Sequence, residues 1–251
     1  MEVNLRYLGY SGFEIKTDSG YQLVIDPLLV GSKKHGIPPS PIPIEELKHT
    51  SLVMVTHGAF DHLGQALEIV QKFGCRLLCS TDVQIHALSQ DIPEKLIVPM
   101  LSGCTYHLEG LFIKAFDVRH VSLFQSKDVW LSGQPLSFII NLPHGPTIYH
   151  SGDTSLFGDL KLIGMLHKPD VALLCVGGIN FNGYELVPLP PNEASIAYQW
   201  LGAKLAIPMH YTPNSNAPEE FESIVTSAQM GCVHIMKPGE VVNLDQLLAE
   251  C

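Results

Sequence analysis

The sequence predicts an α/β fold in which two sheets pack face to face with helices on the outside. Three observations predict it. A β-rich block opens the chain, and a second runs from Cys104 to His150. Each block is followed by alternating helix and strand patterns, which predicts an approximate internal duplication. No low-complexity linker interrupts the 251 residues. One domain over 1–251 is therefore expected, although about 150 residues is the commoner size.

The elements follow in order. Val3 to Leu8, Phe13 to Thr17 and Tyr21 to Ile25 read as strands, separated by Gly9-Tyr10-Ser11-Gly12 and Asp18-Ser19-Gly20, both turn-forming. Segment 31–43 is polar and rich in proline, which keeps it out of a central sheet. It is either a connector or a wall over a pocket. The apolar run Leu52-Val53-Met54-Val55 reads as a buried strand. A helix from Leu63 to Phe73, a strand from Arg76 to Cys79 and a helix from Asp82 to Leu88 come next. The second block returns to strands, with a hairpin turn at Pro143-His144-Gly145-Pro146. After Asp153 the pattern gives a helix over Leu156 to Leu166, a strand over Val171 to Val176, a helix over Asn192 to Leu201 and a strand over Ala203 to Pro208.

Hydrophobic residues make up 46% of the chain, enough for a large buried core, and the formal charge is −10. No cluster of Lys and Arg forms a basic patch, which argues against nucleic acid or an anionic membrane as partner. The N-terminus runs directly into a strand pattern without the features of a secretory leader, and no apolar run approaches the roughly 20 residues of a membrane span. Cys75, Cys79, Cys104, Cys175, Cys232 and Cys251 form no CxxC pair. They read as thiols in a reducing compartment, with Cys251 exposed at the terminus. A cytoplasmic protein is expected.

The most informative stretch is Thr56-His57-Gly58-Ala59-Phe60-Asp61-His62-Leu63-Gly64. It follows a buried strand, so His57, Asp61 and His62 gather at one strand end. The usual form of such a motif carries a further histidine at position 59; here that position is Ala59, which has no lone pair to give a metal. Four other polar residues also follow apolar strands: Asp26, His120, Asp153 and His210. Rigid strand ends fix ligands well, and imidazole with carboxylate suits zinc, manganese or iron. A metal site is expected.

With these motifs in this order, the chain resembles the metallo-β-lactamase fold superfamily. The resemblance also takes in Leu8-Gly9-Tyr10-Ser11-Gly12-Phe13, Ile25-Asp26-Pro27, His150-Ser151-Gly152-Asp153-Thr154 and Ile207-Pro208-Met209-His210-Tyr211. More narrowly it is similar to small, stand-alone bacterial metal-dependent hydrolases of an ascorbate-phosphate-lactonase-like branch. The resemblance implies a four-layer αββα sandwich and two adjacent metal positions holding one or two divalent ions, zinc first, with manganese or iron as alternatives. The first position would use His57, His120 and the vacated residue 59. The second would use Asp61, His62 and His210, with Asp153 bridging both. Asp26 would stand behind a ligand imidazole, and His150 would either join it or pack beneath the site.

The implied reaction is attack by a metal-activated hydroxide, with Asp61 orienting the nucleophile and receiving its proton. Asp153 stands where some relatives carry cysteine, which favours esters, thioesters, lactones and phosphodiesters over β-lactams. The expected function is hydrolysis of a small-molecule ester, lactone or amide-like bond, with a phosphodiester as the alternative. RNA-processing relatives carry added domains or basic exosites, and this chain shows neither. The resemblance also implies a homo-oligomer.

Ala59 leaves three readings open: a natural variant working with one ion or an unusual pair, an engineered His→Ala change that silences the enzyme, or a retired relative that binds a metabolite. Phe124, Trp130 and Tyr211 lie in loops after His120 and His210 and are candidates for the substrate rim. The turn-rich stretch from Asn180 to Pro191 is a further rim candidate. Gly177 to Tyr184 lacks the spacing of a phosphate loop, so no nucleotide role is assigned. His35, His49, His86, His107, His144, His167 and His234 have no companion ligand in sequence and read as structural.

Overall fold

The computed structural model describes residues 2–108, 110–181 and 184–251. The first half contains β1 (Val3–Gly9), β2 (Gly12–Thr17), β3 (Gln22–Ile25), β4 (Leu52–Val55), α1 (Phe60–Leu63), α2 (Ala66–Phe73), β5 (Arg76–Cys79), α3 (Thr81–Ser89) and β6 (Ile97–Pro99). The second half begins with β7 (Thr105–Leu108), β8 (Leu111–Asp117), β9 (Ser122–Ser126), β10 (Val129–Gly133), β11 (Leu136–Asn141) and β12 (Thr147–His150). It continues with α4 (Asp159–His167), β13 (Val171–Cys175), β14 (Ile179–Phe181), β15 (Tyr184–Leu186), α5 (Pro191–Leu201), β16 (Leu205–Met209), α6 (Ala217–Ser227), β17 (Cys232–Val233), β18 (Val241–Asn243) and α7 (Leu244–Glu250).

Two seven-stranded sheets hold the molecule together, in the orders β18-β1-β2-β3-β4-β5-β6 and β17-β16-β13-β12-β11-β8-β7. In the first, β18, β1, β2 and β3 pair antiparallel and β3 to β6 pair parallel. The second repeats the sequence: β7, β8, β11 and β12 antiparallel, then β12, β13, β16 and β17 parallel. This repetition is the structural form of the duplicated block order read from the sequence. Parallel strands are covered on both faces, which is why β4 and β13 are continuous apolar runs.

Side-chain alternation divides the first sheet between two cores. Leu23, Ile25, Leu52, Met54 and Leu78 join the large cluster between the sheets. Val24, Val53, Val55, Leu77 and Cys79 face the other way, against Ile69 and Val70 of α2 and Val83 and Ala87 of α3. Beside the second sheet, α5 contributes Ala194, Ala197, Tyr198 and Leu201, joined by Leu160 of α4 and Phe221 of α6. The result is two sheets flanked by helices, as the patterning predicts.

Three local expectations are corrected. The helix read over Leu63 to Phe73 begins only at Ala66, as α2, and Leu63 ends the separate turn α1, because Gly64 adopts φ +41° and a Cβ there would lie 2.2 Å from the Pro27 carbonyl oxygen. His120 does not end a strand directly; β8 stops at Asp117 and the histidine sits in the turn before β9. The cysteines are not all thiols: Cys232 and Cys251 form a disulfide, while Cys75, Cys79, Cys104 and Cys175 are free. Residues nineteen apart in sequence meet because the chain runs from β17 through β18 and returns along α7, a closure that local patterning does not encode. Among the described residues, no helix is long and apolar enough to cross a membrane.

Candidate metal centre

The parallel strands deliver the site. Asp26 follows β3, His57 follows β4, Asp153 follows β12 and His210 follows β16, all at carboxyl ends, where open α/β sheets leave a crevice. Two of these residues leave their strands in the left-handed backbone region, Asp26 at φ +46° and His210 at φ +66°. Asp and His tolerate that region better than most side chains, and the sharp turn aims them into the crevice. His210 is held there by its N–H donating to the Tyr10 carbonyl at 2.8 Å and by its ring lying 4.5 Å from that of Tyr10. Asp61 and His62 lie in the single turn of α1, on the loop after His57.

Two groups converge, with ligand atoms all within 4.8 Å of one another: Asp61, His62, Asp153 and His210 in one, His57, His120 and Asp153 in the other. Asp153 belongs to both. Its Oδ1 lies 3.2 Å from His62 Nε2, and its Oδ2 lies 3.0 Å from His210 Nε2 and 3.7 Å from His120 Nε2. Asp61 Oδ2 lies 3.3 Å from His210 Nε2. His120 is the exposed member, whereas the others are buried.

Hydrogen bonds behind the imidazoles set their tautomers. His62 Nδ1–H donates to Asp26 Oδ2 at 2.8 Å. His210 Nδ1 is 3.2 Å from the Gly177 carbonyl oxygen, which can only accept. Thr56 donates both its N–H and its hydroxyl to Asp26, at 2.8 and 2.7 Å, leaving the hydroxyl oxygen to accept from His57 Nδ1–H at 3.1 Å. Each of these rings thus keeps its Nε2 lone pair for the crevice. Buried His57 Nε2 has no hydrogen-bond partner among the described residues, and buried His62 Nε2 and Asp153 Oδ1 have only each other, at 3.2 Å. Buried polar atoms are seldom left unpaired, and imidazole nitrogens with carboxylate oxygens are the donors that borderline divalent ions take. The residues fit a metal ion.

The electrostatics agree with that fit. Burial would raise the Asp153 carboxyl, but His210 and His62 outweigh it and hold it well below the usual carboxylate range. Asp26 and Asp61 are lowered in the same way, against burial, chiefly by His62 and by His210 respectively. Burial works to lower His210, yet Asp153 and Asp61 raise it to about 9, and Asp153 with Asp26 lifts His62 well above its ordinary value. His57 is pushed down to about 3 by burial and by His62. The cluster therefore concentrates negative charge and attracts positive charge, whether protons or a cation.

A cavity of about 630 Å³ opens onto this cluster. Ala59, Asp61, His120, Asp153 and His210 line its polar end, and Phe60, Leu123, Ile179, Leu186, Val187 and Pro188 form apolar walls. Lys34 and His35 complete it from segment 31–43, so the start of that segment walls the cavity, while Pro38 and Pro39 line a smaller one. Leu186, Val187 and Pro188 of the 180–191 stretch line the larger cavity, whereas Asn182 and Gly183 lie outside the described residues.

The aromatic rim expected from sequence is elsewhere. Phe124 is buried against the α2–α3 cluster, Trp130 is exposed on β10 away from the cavity lining, and Tyr211 lines a smaller cavity with Tyr7 and Tyr10. The reason is strand alternation: Leu123 and Phe124 point to opposite sides of β9, and Leu123 takes the cavity side. His150 packs beneath the site. Its Nδ1 accepts from Gly152 N–H at 3.1 Å, its ring meets Phe13 edge-on, and burial lowers it to about 4. His35 reads as structural in sequence but lines the cavity, its ring stacked 4.8 Å from Phe60. Thr56, beside His57 in the motif, is not a residue type that sequence marks as a ligand, yet its hydroxyl links Asp26 to His57.

A two-sheet sandwich with an imidazole–carboxylate cluster at its parallel strand ends defines a β-lactamase-superfamily architecture, and residues 21–211 match the family model described as the Beta-lactamase superfamily domain. The chain belongs to that superfamily, in its group of UPF0173 metal-dependent hydrolases. It is 31% identical over 242 residues to the UPF0173 metal-dependent hydrolase of Rubrobacter xylanophilus, covering 94% of each chain. The protein of that name from Pyrobaculum arsenaticum is 34% identical over 245 residues, covering 96% of this chain and all of the relative. Among solved structures, the metallo hydrolase Igni18 of the archaeon Ignicoccus hospitalis superposes with a TM-score of 0.79 at 30% identity, over 97% of this chain and 99% of its own. Similarity thus extends to archaeal proteins as well as the bacterial hydrolases that the motifs resemble.

Proposed function

We propose that this protein is a metal-dependent hydrolase of a small-molecule ester, lactone or related carbonyl compound, working chiefly with one tightly held divalent ion. The observation that carries the reading is the convergence of Asp61, His62, Asp153 and His210, buried and with their ligand atoms all within 4.8 Å of one another. In this reading Asp61, His62, His210 and Asp153 hold the tight ion. His57, His120 and Asp153 form a weaker neighbour, because Ala59 contributes no lone pair. Zinc suits the donors best, and manganese or iron are the alternatives. When bound, the ion supplies Lewis acidity, polarising a substrate oxygen and acidifying water.

The chain's own groups do the rest. Asp26 fixes the His62 tautomer, so that Nε2 faces the crevice as an acceptor. Asp61, held below the carboxylate range, is ionised at neutral pH and can orient the attacking water and take its proton. Phe60, Leu123 and Ile179 give the cavity an apolar wall against which a substrate's apolar part can lie. The mixed polar and apolar lining supports a small-molecule substrate. Four free thiols support a cytoplasmic placement, and the Cys232–Cys251 disulfide weighs the other way.

A panel of aryl esters and lactones, assayed before and after chelation and with zinc or manganese restored, tests this. Turnover that chelation abolishes and metal restores is the expected result. Zinc uptake without turnover of any ester, lactone or phosphodiester favours the rival reading, a silent metabolite-binding protein, which Ala59 motivates. Ala59→His then separates the cases: a large gain of activity marks the vacated ligand as the defect.

A further inference from the structure

The loop carrying His57 and the turn carrying His120 come from different sheets, yet one hydroxyl ties them. Ser122, fully buried and two residues beyond His120, accepts a hydrogen bond from the Gly58 N–H at 2.8 Å. That amide immediately follows His57. The Ser122 hydroxyl in turn donates to Oδ2 of Asp82, a carboxylate only 3% exposed in the first turn of α3. With its proton committed to Asp82, the serine oxygen has only lone pairs left to offer Gly58. The carboxylate thus sets the polarity of the whole contact.

The surroundings leave little freedom. The Phe124 ring lies where a Cβ on residue 58 would stand, at 1.9 Å, so the loop passes flush against β9. One turn along α3 the contact is repeated: His86 Nδ1 pairs with Ser126 Oγ at 2.8 Å. Asp82 and His86 therefore dock one face of α3 onto Ser122 and Ser126, which share a face of β9. The other Asp82 oxygen, Oδ1, is buried without a hydrogen-bond partner among the described residues. A buried carboxylate with one oxygen unsatisfied is costly, and its place in the first turn of α3 offsets only part of that cost through the helix dipole. Such a cost points to a role beyond packing.

We propose that Asp82 is a positioning residue for the first metal position, acting through Ser122 to fix His57 and His120 relative to Asp153. This rests on the metal reading above. It also explains how a position lacking its residue-59 ligand could still be preorganised: the two remaining imidazoles are clamped to each other by their backbones.

The test compares wild type with Asp82→Ala, Asp82→Asn and Ser122→Ala. Amide exchange by mass spectrometry is measured on the metal-free proteins, and the affinities of the tight and the weaker zinc equivalents are measured separately by titration to excess metal. Asp82→Ala and Ser122→Ala are expected to speed exchange in the peptide spanning 56–60 about tenfold or more, with β16 unchanged, and to weaken uptake of the second, weaker zinc equivalent about 10- to 100-fold while leaving the tight equivalent unchanged. Asp82→Asn, which keeps an acceptor, should fall between. If Asp82→Ala does not fold, the other two variants carry the comparison. Unchanged affinity for the second zinc equivalent in folded variants overturns the proposal, even if exchange responds, and so does a wild type that takes up one zinc and no second equivalent at excess metal. Failure of wild type itself to take up zinc overturns the metal reading, and is recognised because it precedes any substitution.

Discussion

Asp26 illustrates how much one residue arranges. Its two oxygens accept from Thr56 N–H, Thr56 Oγ1–H and His62 Nδ1–H, so it fixes a loop, a hydroxyl and a tautomer together. Outer partners of this kind commonly change metal affinity by about 10- to 100-fold, and Asp26→Ala should lower zinc affinity by at least that much, read by chelator competition. The histidines predict a pH dependence of definite sign. His210 rises from 6.5 to about 9 on folding without metal, so its stabilisation is complete below 6.5 and is lost as pH climbs through 9. His62 acts in the same direction. His57 and His150, lowered to about 3 and about 4, are protonated in the unfolded chain first, so they cost stability only as pH falls below 6.5. The metal-free protein should therefore melt highest near pH 6.5 and progressively lower toward pH 9. Zinc must displace the protons on His62 and His210, so its affinity should rise over the same interval. Melting curves with and without zinc at several pH values check both trends, and a gap that does not widen with pH contradicts them.

Elements explain what could be read from the sequence and what could not. Asp26, His57, Asp61, His62, Asp153 and His210 were readable because strand ends and one short loop carry them, and apolar runs mark strand ends plainly. His120 was found although its strand stops three residues earlier. The rim was not readable, because it depends on which side of β9 faces the crevice, and a hairpin packed on α3 rather than on a main sheet gives no periodic signal for that choice. Asp82 and Ser122 escaped for the same reason: their meeting is a helix-to-hairpin contact between residues 40 positions apart. The break between α1 and α2 was missed because a glycine inside a helical pattern is usually tolerated. Its left-handed backbone and the nearby Pro27 oxygen make Gly64→Ala a sharp test. We expect a loss of roughly 1–3 kcal/mol in unfolding free energy, or more if Pro27 must shift, measured by urea denaturation.

At the scale of the whole molecule, two similar halves close on each other, and the site sits where both present the ends of their parallel strands. The first sheet brings Asp26, His57, Asp61 and His62, and the second brings His120, Asp153 and His210. A bound ion therefore links the halves, and metal binding should stabilise the fold globally. At a free zinc concentration about a thousand times the dissociation constant, linkage gives about 4 kcal/mol, visible as a higher melting temperature. This cross-link needs the second position, whose ligands come from both sheets, and does not need residue 59. The most direct measurement is metal content per chain by elemental analysis, on protein purified without added metal or chelator and compared with a His62→Ala, His210→Ala double variant. We predict about one ion per chain in the wild type and close to none in the variant. No ion in the wild type, or an ion that survives loss of both histidines, would contradict the account.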